Sequence, residues 1–141
     1  MKTPWHLWAI GVVTLFWNAM GALDYTMTQL QNEAYLANFS TEERAWFQSF
    51  PAWVEATWAI AVWFAVAGSI LLLARKRIAV PVLGISLISM VTNAIHNFVL
   101  ADVTMPEVVG AEAVWFTLAI FVIALATWLY ARQMRQVGVL G

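Results

Sequence analysis

The stretch SLISMVTNAIHN, Ser86 to Asn97, lies inside an uncharged run that extends from Ile78 to Ala101. Ser86, Ser89, Asn93 and Asn97 follow one another at spacings of three, four and four, and His96 sits three residues after Asn93. On a helix these positions share nearly one face. The run is long enough to cross a hydrocarbon core about 30 Å thick. Lipid offers polar side chains no hydrogen-bond partners, so this stripe must face other protein or water. The segment therefore reads as one span of a bundle, with a polar edge turned inward.

Working outward, the rest of the chain repeats the pattern. Uncharged runs cover Trp5–Leu23, Ala56–Ala74 and Ala113–Ala131, and the shortest of the four runs has 19 residues. Apolar residues make up 62% of the 141 and charged residues 11%, less than half the ordinary globular share of about 25%. A soluble four-helix protein would carry charge along one face of each helix. The expectation is an all-α fold: a single integral membrane four-helix bundle with spans near 5–23, 52–74, 78–101 and 111–131 and an excursion over 24–51. The first run is longer than the apolar core of a secretory leader and contains Trp17 and Asn18, so it reads as a span.

Charge sorts by side. Lys2, Arg75, Lys76, Arg77, Arg132 and Arg135 fall on one side of the four-span topology, and Arg44 falls on the other with all 8 acids. The Lys/Arg bias puts both termini and the helix 2–3 loop in the cytoplasm, leaving an acidic outer face. A net charge of −1 without a large basic cluster points to no nucleic-acid partner. The absence of cysteine excludes disulfides and thiolate metal sites.

In the first span Gly11, Thr14, Asn18 and Gly21 form a small-polar packing face. His6, near the basic end, reads as a headgroup-level polar residue. Ser40-Thr41-Glu42-Glu43 matches a capping box, and Trp46, Phe50 and Trp53 recur at helical spacing after it. This predicts an amphipathic outer-surface helix. Anchoring on the membrane surface is the preferred role, with a lid over the bundle mouth as the alternative. Ala61, Ala65 and Gly68 make a second close-packing face. Helix 4 has the most apolar interior, so it is expected to face lipid or meet another subunit.

Depth groups the polar residues. Counted from Leu23, Pro51 and Ala101, the residues Asn18, Glu55, Asn93, His96 and Asn97 fall about 6–12 Å inside the outer surface at about 1.5 Å per residue. Asp24, Asp102 and Glu112 would rim this layer, and Trp17, Trp53, Trp58 and Trp115 offer flat surfaces for a sugar or an organic cation. Glu55 and His96 are the natural ionisable pair. Three functions compete. The layer lines an outward-facing site for a small polar or cationic solute, or it cross-links helices in an accessory subunit of a larger complex. In the third reading Glu55 and His96 hold a metal or relay a proton, although two ligands fall short of a usual metal set. No cofactor is required.

The residues Trp17-Asn18, Gly21-Ala22-Leu23-Asp24-Tyr25 with Met27-Thr28, and Phe50-Pro51-Ala52-Trp53 resemble a family of small four-span bacterial inner-membrane proteins. Some of its members carry a sugar-transporter label. The resemblance implies a bacterial inner membrane and solute movement. Transporters commonly pair two repeats around one site, so transport by a chain this short implies a homodimer.

Overall fold

The computed structural model describes residues 2–141, and no strand occurs among them. The helices are α1 (Trp5–Gln29), α2 (Glu33–Leu36), α3 (Thr41–Gln48), α4 (Ala52–Leu73), α5 (Ala79–Ile95), α6 (Met105–Val109) and α7 (Glu112–Gln136). A π-helical turn over His96–Leu100 continues α5. The segments Trp5–Gln29, Ala52–Leu73, Ala79–Leu100 and Glu112–Gln136 are long and apolar enough to span a membrane. The molecule is thus an all-α four-helix membrane bundle in contact with a lipid bilayer.

Small residues set the closest approaches. A Cβ on Gly11 would collide with the Leu73 side chain, and one on Gly68 would collide with Leu83. Glycine at these two positions lets α1 and α5 press against α4. In lipid, apolar burial gives little drive for helix association, so close contact and interhelical hydrogen bonds carry it. Asn18 Nδ2 donates to Ser69 Oγ at 2.9 Å and to Ala65 O at 3.2 Å, tying α1 to α4. Ser86 Oγ donates to Ala61 O at 2.5 Å, tying α5 to α4. Ser86, Ser89, His96 and Asn97 are all buried, so the stripe of the third span does turn into protein.

Toward the basic end, Leu7, Leu72, Ala79, Val80, Leu83, Ala131, Met134 and Leu140 form one buried cluster. His6 Nδ1 and Tyr130 Oη are hydrogen-bonded at 2.5 Å, so His6 joins α1 to α7 instead of standing alone among headgroups. α7 is the least enclosed span, with 11% of its most apolar window buried against 22–28% for the others. This follows from its apolar interior.

The excursion is folded onto the opposite end. Ser40 Oγ accepts from Glu43 N at 3.1 Å, the expected N-cap of α3. The apolar face of α3 does not reach for lipid, however. Trp46 and Phe50 are buried with Val54, against Phe47, Trp58, Met105 and Val108. Trp46 Nε1 donates to Val103 O at 2.7 Å. The surface-anchor preference is therefore corrected: α3 is a lid, because four apolar partners outside it, Val54, Trp58, Met105 and Val108, and one indole hydrogen bond offer its face more than headgroups do. Met105 and Val108 come from α6, a short helix in the link between the third and fourth spans. Tyr35 Oη donates to the Asp24 carboxylate, and Arg44 pairs with Glu33 at 3.0 Å, closing the excursion over α1. Burial, and then the adjoining Asp24 carboxylate, push the Tyr35 phenol above its ordinary range.

Candidate functional site

The site begins with a backbone carbonyl. Val54 O can only accept, and it receives Asn93 Nδ2 at 3.2 Å. The same amide nitrogen reaches Thr57 Oγ1 at 3.3 Å, while that hydroxyl donates to Val54 O at 2.9 Å. Asn93 must therefore turn its Oδ1 the other way, where it accepts Asn97 Nδ2 at 3.0 Å. Asn97 is left with Oδ1 facing His96 Nδ1 at 3.0 Å. An amide oxygen accepts, so Nδ1 of the neutral imidazole carries the proton and Nε2 is the bare acceptor. The tautomer is assigned from this network. One carbonyl on α4 thus fixes the chemistry of a histidine three groups away.

His96 is 7% exposed, with its ring set edge-on to Phe50 at 5.4 Å and Trp53 at 5.6 Å. Its Nε2 has no hydrogen-bond partner, yet no fully buried side-chain nitrogen or oxygen among the described residues lacks one. Nε2 must therefore open to the surface. His96 lines a groove of about 770 Å³ between the α3 lid and the π turn, together with Glu42, Trp46, Trp53, Leu100 and Asp102 among others. The π turn helps aim the ring: its Ala101 N–H reaches back to His96 O at 2.9 Å, one residue farther than in an α-helix. Such turns recur at functional sites. The groove has two carboxylates, one imidazole acceptor and no Lys or Arg among its described lining residues. Trp53, 46% exposed, adds an aromatic surface.

The structure joins Asn93, His96, Asn97 and Trp53, with Asp102 on the same groove, and separates Asn18, Trp17 and Asp24 from them. Asn18 is not in this layer. Its partners Ala65 and Ser69 lie ten or more residues along α4 from Glu55, about 15 Å or more at the helical rise. The depth count failed because α1 does not end at Leu23 but runs to Gln29. Trp17 lies beside Phe116 at 6.3 Å, on the α7 side. Asp24 holds Tyr35 instead of rimming the groove.

Glu55 does not pair with His96: its carboxylate makes no hydrogen bond or ion pair among the described residues. It stands in the first turn of α4, where the helix dipole favours an anion. No group of three His, Asp or Glu gathers in metal-binding geometry among the described residues. The donor set around Glu55 and His96 therefore does not fit a metal. Thr57 and Trp46 were missed as site residues. A threonine in an apolar helix and a tryptophan on an amphipathic face carry no distinctive signal, and only the fold brings them here.

Compared with protein-family models, curated proteins and solved structures, the chain matches none.

Proposed function

We propose that this protein binds a small organic cation at the acidic end of its bundle, with that end outside the cell and both termini in the cytoplasm. The observation that carries the reading is the buried His96, its Nε2 without a protein partner, on the wall of a groove lined by Glu42 and Asp102 and by no Lys or Arg among the described residues. Two carboxylates attract positive charge, an imidazole acceptor orients a donor, and the Trp53 ring suits a cationic or alkyl group. The orientation rests on the Lys/Arg segregation. The family resemblance supports a bacterial inner membrane and solute movement. Because the groove lies at one end of the bundle and not at its midplane, transit would require a second copy or a second state.

Thermal unfolding of the detergent-purified protein tests the reading. n-Butylammonium chloride should raise the midpoint at matched ionic strength, and glucose should not. Ligand at about 100 times Kd adds roughly 2.7 kcal/mol. The double substitution Glu42→Gln with Asp102→Asn should abolish the shift. A shift with glucose and none with the amine would favour a neutral sugar and overturn the cation reading.

One observation favours an accessory role as well: α7 buries far less of itself than the other spans. That role predicts that a larger membrane complex co-purifies with the protein and that bulky substitutions on α7 release it.

A further inference from the structure

We infer that the cation is a protonated primary or secondary amine bearing an alkyl group, recognised through an N–H that donates to His96 Nε2. This rests on the cation reading above and names the class of ligand for the same groove. The basis is an unpartnered polar atom on a side chain only 7% exposed. The Asn93–Asn97 relay sets the proton of the neutral ring on Nδ1, leaving Nε2 as its acceptor, and Phe50 and Trp53 pack edge-on against the ring. A ligand that covers this acceptor strips it of water and must supply a donor in its place.

The lining excludes other classes. An anion would meet Glu42 and Asp102. A ligand that only accepts finds two lining donors already engaged, Ser49 Oγ with Trp46 O at 2.6 Å and Trp46 Nε1 with Val103 O at 2.7 Å. A quaternary ammonium satisfies the carboxylates by charge but has no N–H, so it would cover Nε2 without pairing it. That leaves an imidazole nitrogen desolvated and unsatisfied. A protonated amine satisfies both demands, and its alkyl part meets the apolar wall of Leu100, Val103 and Val108.

The decisive comparison uses the intact protein in detergent and isothermal titration with n-butylammonium, n-butyltrimethylammonium and n-butanol. A charge-assisted hydrogen bond gives n-butylammonium an advantage of roughly ten- to a hundredfold over the quaternary analogue. n-Butanol, lacking charge, should bind more weakly still. His96→Phe keeps a ring between Phe50 and Trp53 but removes the acceptor, and should shrink the amine's advantage to about twofold or less, the scatter left once a hydrogen bond is gone. Equal affinity of the two cations for the wild-type protein overturns the amine inference and leaves cation binding standing. Failure of both cations to bind overturns the proposed function itself. The wild-type comparison decides even if the variant does not fold.

Discussion

Asn93→Ala is the substitution on which the site should turn. It removes the donor to Val54 O and Thr57 Oγ1 and the acceptor of Asn97 Nδ2. Interhelical hydrogen bonds in membranes average about 0.6 kcal/mol and reach about 1.7. Leaving the buried Asn97 amide without an acceptor adds on the order of 1 kcal/mol. The expected loss is therefore about 1.5–2.5 kcal/mol, read by unfolding in mixed micelles of rising denaturing-detergent fraction. A second effect separates the relay from mere packing. Without Asn93 nothing fixes which way Asn97 turns, so its amide can present either oxygen or nitrogen to His96. Nitrogen-15 NMR of the imidazoles should show His96 protonated on Nδ1 in the wild type and a mixture of tautomers in the variant. Amine affinity should fall with it. A variant that loses stability yet keeps a single Nδ1–H tautomer and full amine affinity would refute the relay, because Asn97 would then be oriented by something else.

Other outcomes follow from the packing and the loops. Asn18→Leu should cost about 1 kcal/mol, since Ser69 Oγ keeps its own bond to Ala65 O, and amine affinity measured by titration should not change. Gly68→Val should cost about 1–3 kcal/mol through overlap with Leu83, and Leu83→Ala in the same chain should recover part of it in the same unfolding assay. The Tyr35 phenol is raised in the folded protein, so its contribution is fully present below its unfolded value near pH 10 and is lost as pH climbs toward the folded one. A plot of stability against pH should consequently fall more steeply above pH 10 in the wild type than in Tyr35→Phe.

The spans were legible because charge is excluded from the interior of each and confined to the end turns. The inward stripe was legible because polar groups in lipid have no other choice. Gly11, Gly68 and Ser40 were readable for similar reasons, each being tied to a local geometric demand. Depth was not. Asp24 looked like the end of a span, but its carboxylate is taken up by Tyr35 and the helix continues six residues past Leu23 to Gln29. The Glu55–His96 pair looked natural by charge alone. It fails because Asn97, itself held by Asn93, already occupies the imidazole's Nδ1. The lid and the surface anchor share one apolar pattern, and only the location of Trp58 and α6 separates them.

The π turn at His96–Leu100 has a genetic corollary. A widened turn of this kind holds one residue more than an α-helical turn needs, so it is equivalent to a single-codon insertion in a straight helix. Deleting one residue among 98–100 should let the segment relax to regular α-helix while α5 keeps its serine contacts to α4. Such a chain would remain a four-span membrane protein by every coarse measure. The segment after the deletion, with Ala101, Asp102 and Val103 of the groove wall, would be rotated by about 100° relative to His96. Loss of one codon is thus expected to spare the bundle while dismantling the groove, which unfolding and amine titration of the deletion variant would read separately.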